Sequence, residues 1–289
     1  MASLNPAELN LRHVRSNFDR AATQFTKADF IHRVVANGLF ERMQPMTLSP
    51  RLIVDLGCAC GAGSKRLAWQ FPKARVLGVD VSAEMLKSAK KRQRWFTRVR
   101  ELQADATKLP LATGSVDLVF ANMLLPWINN PAELFAEVAR VLRVDGVFVF
   151  STLGPDSLAE IRAAWGEIDD DLHVHQFPDM HNLGDAVMQA NLGDPVLDVD
   201  YKQVTYKDTA TLFAEMAATG ARNSLRDRRR TLTGKGRIKR FYQELEQRLH
   251  HGLIELSLEI VYGHAFGRGP SLPPGEFLLA PQDIGRRRI

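Results

Sequence analysis

The stretch Ile53-Val54-Asp55-Leu56-Gly57-Cys58-Ala59-Cys60-Gly61-Ala62-Gly63 decides the fold. An apolar run ends in an acid, a glycine-rich turn follows, and a helix-compatible segment begins at Ser64. Further on, a second apolar run ends in another acid, Val76-Leu77-Gly78-Val79-Asp80. Strand, tight loop, helix, strand and carboxylate in this order form a nucleoside-binding unit. The loop glycines let the backbone approach a ligand, and the second acid accepts hydrogen bonds from ribose hydroxyls.

Outward from that unit, the pattern predicts strands at 51–56 and 75–80, with a helix over 64–70 that stops before Pro72. A helix follows Asp80, with Ser82 as N-cap and Glu84 in its first turn. Short strands are expected near 100–103, at 116–122 and at 147–152, with a helix opened by Pro131 and running to Leu142. Near-continuous apolar strands alternating with helices imply a parallel sheet covered on both faces. Residues 5–45 read as helical, and Pro45 and Pro50 mark the exit. A helix is expected over 182–192, then strands near 196–206 and 253–262. Between those strands, 208–249 reads as helices interrupted by Gly220, Gly234 and Gly236. The tail 267–289, rich in proline and glycine, is expected to be loosely ordered.

The composition is that of a globular protein, 45% hydrophobic and 25% charged across 289 residues. No apolar run is long enough to cross a bilayer, and the N-terminus lacks the apolar core of a secretory signal. Two cysteines, Cys58 and Cys60, rule out a disulfide framework and point to a reducing cytoplasm. The net charge of +5 is local in origin. Arg222, Arg226, Arg228, Arg229, Arg230, Lys235, Arg237, Lys239 and Arg240 face Asp227 alone, and Arg286-Arg287-Arg288 lies near the C-terminus. Such a cluster is either a solvated surface or a docking face for an acidic partner. Aromatics are not interleaved with it, which disfavours nucleic acid.

Three acids specify the ligand. Asp55 ends the first strand beside the loop, where a carboxylate suits an ammonium and repels a pyrophosphate. Asp80 stands at the ribose position. Asp105 ends the third strand, placed to accept from an adenine amine. An amino acid, a ribose and an adenine without phosphate describe S-adenosylmethionine. His173, His175 and His181 lie close in sequence, but no acidic or cysteine partner completes a chelating pattern, so no metal is expected.

These motifs resemble those of the class I S-adenosylmethionine-dependent methyltransferases. Asp55–Gly61 resembles the first motif, with Ala59 where a glycine is usual. Gly78–Leu86 resembles the second, which implies that Met85 flanks the adenine. Ala104-Asp105-Ala106 resembles the third, and Phe120–Trp127 the fourth, which would lie under the sulfonium. The implied cofactor contacts are therefore Asp55, Gly57, Gly61, Asp80, Val81, Met85, Asp105, Ala106, Asn122 and Leu124. The implied fold is α/β and Rossmann-like: a mostly parallel seven-stranded sheet with helices on both faces. An N-terminal helical cap (1–49) would precede a methyltransferase domain (50–266), with a helical lid (about 207–250) inserted before the last strand.

Asn17–Ala22, Phe150–Ile161 and His175–Asp185 are similar to the malonyl-acyl-carrier-protein O-methyltransferases of biotin synthesis. That family usually carries a tyrosine where this chain has Phe25. The resemblance implies methylation of the free carboxylate of a malonyl thioester, with acyl carrier protein docked on the basic lid 222–240. Arg222, Tyr201 and Tyr262 are the candidates for orienting the substrate, with Arg162, Tyr206 and His264 behind them. The same segments also resemble methyltransferase-fold assembly factors of respiratory complex I, associated with arginine modification. Another small-molecule methyltransferase is a third reading.

Overall fold

β1 (Leu52–Leu56) lies in the middle of a seven-stranded sheet in the computed structural model, which describes residues 8–92, 98–229, 231, 233–249 and 251–269. β2 (Arg75–Asp80) and β4 (Val116–Asn122) flank it, both parallel to it. β3 (Val99–Gln103) forms one edge beyond β2, and β5 (Leu142–Leu153) follows β4. β7 (Ile254–Gly267) then runs antiparallel between β5 and the other edge strand, β6 (Leu192–Tyr206). The order is β3-β2-β1-β4-β5-β7-β6. It is the mostly parallel Rossmann-like sheet expected from the sequence.

The parallel strands need crossover helices, and the sequence marks their starts. α5 (Ala83–Lys91) is capped by Ser82, whose Oγ accepts from the Met85 N–H at 3.1 Å. α6 (Pro131–Val141) has proline at its first position and Asn130 as cap. α4 (Ala62–Gln70) links β1 to β2. On one face of the sheet, Phe135, Phe148 and Phe150 pack with Leu134 and Val138 of α6. On the other, Phe40 stacks on Phe120 with ring centroids 5.0 Å apart. Burying both faces of β4 and of the second half of β5 explains the apolar runs Leu118–Ala121 and Val147–Phe150.

The N-terminal segment is helical as expected, in three pieces: α1 (Leu11–Ala21), α2 (Phe25–Ala28) and α3 (Phe30–Met43). Among the described residues ahead of α1, Leu9 bridges to Leu225. β5 is longer than predicted, and a helix unforeseen in the sequence, α7 (Ala159–Gly166), follows it. α8 (Met180–Gln189) starts at its cap Asp179 and stops early, where Asn191 turns to φ 63°. Between β6 and β7 stand α9 (Thr209–Ala218) and α10 (Lys235–Gln247). Phe241 and Leu245 of α10 pack with Ile161 of α7, and Trp165 stacks on Phe241 at 4.2 Å. Arg230, most of the tail and its Arg286-Arg287-Arg288 lie outside the described residues. No helix among the described residues is long and apolar enough to cross a membrane.

α3 is pressed onto the antiparallel part of the sheet at Gly38. A Cβ there would sit 2.4 Å from the Tyr262 hydroxyl oxygen, and Tyr262 is fully buried. Gly38→Ala gains up to about 1 kcal/mol of helix propensity. Overpacking against Tyr262 costs about 1–3 kcal/mol. The clash wins, so the variant should melt a few degrees below wild type; an unchanged or higher melting temperature in calorimetry would show that the contact is looser than described.

Candidate active site

Because β1, β2 and β4 run parallel, their C-terminal ends meet at one edge of the sheet, and the functional side chains gather there. Asp80 is the hub. Its Oδ2 accepts from the Ala59 N–H at 2.9 Å, and its Oδ1 from the Ser82 N–H at 2.8 Å. One carboxylate thus fastens the glycine loop to the end of β2 and the start of α5. Burial pushes the Asp80 carboxyl above its usual range, against the lowering effect of those two donors. Gly57 turns at φ 69°, and a Cβ on it would meet Leu124 at 3.0 Å. Ala59, at the position where glycine is usual, adopts φ 46°. Its methyl costs about 1–2 kcal/mol of left-handed strain, and the bond to Asp80 holds it there.

Asp55 is 2% exposed and accepts from Ser64 Oγ at 2.5 Å. Burial raises its pKa to about 7, and the hydrogen bonds from Ser64 only partly offset this. Asp105 is more open. Its Oδ1 accepts from the Thr107 N–H and hydroxyl, at 2.9 and 2.8 Å.

Two adjoining cavities share Phe25, His32, Gly57, Ala59 and Asn122. The first, about 1090 Å³ with its open mouth, is lined by Asp80, Val81, Asp105, Ala106 and Leu124. The second, about 920 Å³, is lined by Asp55, Gly63, Arg33, Asn37 and Arg66. A third, about 720 Å³ and mainly apolar, lies behind them among Ile31, Leu153, Leu158, Val204, Leu256 and Leu258. It shares His32, Met123 and Trp127 with the first.

The structure therefore brings Asp55, Gly57, Asp80, Val81, Asp105, Ala106, Asn122 and Leu124 to one cleft. Gly61 and Met85 stand apart from it. Gly61 caps α4 at φ 79°, and Met85 is fully buried behind the loop, its Sδ 3.5 Å from Cys60 Sγ. The three substrate-orienting candidates do not line these cavities. Tyr201 is 67% exposed on the edge strand. Tyr262 lies beneath Gly38 with the Arg42 guanidinium 3.8 Å from its ring centroid. Arg222 is exposed. Of the others, Tyr206 reaches the third cavity, where burial and Glu215 push its hydroxyl up to about 12. Arg162 donates to the Ser157 carbonyl at 3.1 Å, and His264 packs edge-on against Phe266.

Sequence reasoning missed four cleft residues: His32, Arg33 and Asn37 of α3, and Arg66 of α4. No local pattern marks them, because docking decides which face of α3 meets the cleft. The histidines disperse. His173 hydrogen-bonds Asp169 at 2.7 Å, the His175 ring accepts from the Ser224 N–H at 3.2 Å, and His181 is exposed. Asp169, Asp171 and His173 do converge within 4.8 Å. Arg237 at 3.1 Å from Asp169 and Arg229 at 3.9 Å from Asp171 supply cations already, so the cluster reads as an ion-pair staple.

The first cavity presents carboxylates and no lysine or arginine, which fits a phosphate-free nucleoside. The second offers Asp55 to an ammonium, and Arg33 and Arg66 to a carboxylate.

A methyltransferase domain model matches residues 54–150. The malonyl-[acyl-carrier protein] O-methyltransferase of Gallionella capsiferriformans is 34% identical over 92% of this chain and 94% of its own length. That of Legionella pneumophila is 37% identical over 86% and 88%. The chain belongs to this family of methyltransferases. It is an S-adenosylmethionine-dependent enzyme. Two solved structures share the fold: the YcgJ protein of Bacillus subtilis (TM-score 0.55, 16% identity, 81% of this chain and 99% of that one) and phosphoethanolamine N-methyltransferase 2 of Haemonchus contortus (TM-score 0.54, 16%, 86% and 57%). The relatives favour the carboxyl-methylating reading of the methyltransferase over the assembly-factor one.

An ammonium seated beside Asp55 would be held with a pH-dependent affinity, because the carboxyl titrates at about 7. An ammonium beside Asp55 favours its anion, so binding below about pH 7 must expel a proton. Affinity for S-adenosylmethionine should rise about three- to tenfold from pH 6 to pH 7.5, measured by calorimetry, and the rise should vanish in Asp55→Asn. For stability the sign is opposite. The buried acid favours folding below about pH 4, and that contribution is lost as pH rises through about 7. Asp55→Asn should therefore flatten the fall in ligand-free stability over that range.

Proposed function

We propose that the chain methylates the free carboxylate of a malonyl group carried on acyl carrier protein. The observation that carries this reading is kinship over nearly the whole chain, insertion included, with enzymes named for that reaction. The site chemistry agrees. A carboxylate acceptor is already ionised at neutral pH, so it needs no strong base. His32 at the cleft is held neutral, its pKa down at about 4 through burial. Bound in the cleft, S-adenosylmethionine supplies a methyl group on a cationic sulfonium. The chain's own part is alignment and exclusion of water, and the apolar walls of the third cavity suit both. Asp55, Asp80, Asp105, Val81, Ala106, Asn122 and Leu124 hold the cofactor in this reading, and Arg33 and Arg66 face its carboxylate.

The helices of residues 8–49 serve as cap and the 207–250 insertion as lid. The lid is the docking face for the acidic carrier. Part of its charge is used internally: Arg226 pairs with Glu8 at 2.6 Å and Arg237 with Asp169 at 3.1 Å. Lys235 and Lys239, like Arg222 and Arg240, are exposed and make no ion pair among the described residues, so they are left to steer a partner. Both cysteines are buried and unpaired, which suits a reducing cytoplasm.

Intact mass of malonyl-carrier protein after incubation with enzyme and S-adenosylmethionine should rise by one methyl group; an unchanged mass, with the cofactor bound, would sink the reading. Reversing Lys235 and Lys239 together to glutamate should raise the KM for the carrier about tenfold at low salt. It should leave a small malonyl thioester unaffected. Equal carrier kinetics in the variant and wild type would remove the docking role.

A further inference from the structure

We infer that His32 is the residue that contacts and orients the methyl acceptor, at the point where the acceptor cavity opens into the cofactor cleft. The inference rests on the carboxyl-methylating reading above. Among the described residues, His32 alone lines all three cavities: the adenosine lobe, the amino-acid lobe and the apolar cavity behind them. An acceptor entering through the apolar cavity must pass it to reach the reacting methyl group.

The acceptor's carboxylate needs a donor, and the apolar cavity offers no lysine or arginine among its lining residues. Its one charged side chain is Glu215, which repels a carboxylate. A malonyl thioester is therefore sorted by charge. The neutral thioester end is tolerated beside Glu215, and the anionic end is driven toward the cleft. Of the residues at the junction, Met123 presents only carbon and sulfur. Trp127 is wedged edge-on between Phe18 and His175, with ring centroids 5.0 and 5.2 Å away. His32 packs against Phe25 at 5.1 Å, and its ring makes no hydrogen bond to any described residue.

That last point is the unusual one. His32 Nδ1 is sealed from solvent without a partner, an arrangement that folded proteins avoid unless a ligand or a function explains it. The fold fixes the residue through its backbone instead. The His32 carbonyl accepts from Asn122 Nδ2 at 3.0 Å, and Ser151 Oγ donates to Asn122 Oδ1 at 3.0 Å. Ser151 Oγ in turn accepts from the Met123 N–H at 3.0 Å. The ends of β4 and β5 thus locate α3 at this position while the imidazole keeps its hydrogen-bonding capacity. Burial keeps the ring neutral, a form that can donate to a carboxylate without a charge buried beforehand.

The test compares wild type with His32→Leu and His32→Gln. Gln retains a neutral N–H donor and Leu does not. Calorimetry with S-adenosylhomocysteine reports the cofactor cleft, and steady-state methylation of malonyl-carrier protein reports the acceptor. The expected result is near-normal S-adenosylhomocysteine affinity in both variants. kcat/KM for the carrier should fall about 10–100-fold in His32→Leu, as for a lost hydrogen bond to a charged group, with most of it recovered in His32→Gln. Wild-type kinetics in His32→Leu, equal impairment of both variants, or loss of S-adenosylhomocysteine binding in parallel with turnover would each overturn the inference. If wild type leaves malonyl-carrier protein unmethylated, the carboxyl-methylating reading itself fails, and the role of His32 falls with it.

Discussion

The grip of Asp80 on two backbone N–H groups is the interaction on which the site depends. Through it, the glycine loop after β1 is tied to the end of β2 and the start of α5. The loop has left-handed residues at Gly57, Ala59 and Gly61, and its Gly57 and Cys58 N–H groups donate to the Val79 carbonyl. Without the carboxylate the Ala59 and Ser82 N–H groups would lose their acceptor, and the left-handed turn at Ala59 its restraint. Asp80 also lines the first cavity, so in the proposed reading one side chain both builds the loop and meets the ribose. This dual use explains why its burial is tolerated although it disfavours the charged form.

The second constraint is the docking of α3. Packing of Gly38 against Tyr262 and of Phe40 against Phe120 sets the rotation of the helix. That rotation turns His32, Arg33 and Asn37 toward the cleft. The antiparallel strand β7 therefore matters to a site at the far side of the sheet, because it carries Tyr262. Backbone strain collects where the cavities meet. Met123, between the cofactor cleft and the apolar cavity, has φ 57°, and Leu158 at the cavity's wall has φ 58°. Such conformations persist only where the surroundings over-determine them, and the Ser151–Asn122 bonds do so at Met123.

The sheet and the cofactor residues at its strand ends were legible in the sequence for one reason. Strand termini, loop glycines and caps are local, and acids at successive strand ends converge in any parallel sheet of this connectivity. Asp55, Asp80 and Asp105 could be read this way. What was not legible depends on packing between distant segments. The face of α3, the separation of α1 from α3 and the placement of Tyr262 are fixed by contacts many residues apart in sequence. Of the two expected on this motif, Val81 meets the cleft, whereas Met85 on α5 is turned behind the loop against Cys60. An arginine is the natural partner for a carboxylate substrate, yet Arg222 is exposed. The apolar cavity leaves that task to a neutral ring from a helix that carries no motif.

In the proposed reading, three strand-end carboxylates shape this cleft for a phosphate-free adenosine bearing an amino acid. Calorimetric titration of wild type and Asp80→Ala with S-adenosylhomocysteine and with a dinucleotide such as NAD tests it most directly. The account predicts one-to-one binding of S-adenosylhomocysteine to wild type, weakened about 10–100-fold or more in Asp80→Ala, and no binding of the dinucleotide. Tight dinucleotide binding, or S-adenosylhomocysteine affinity indifferent to Asp80, would contradict it.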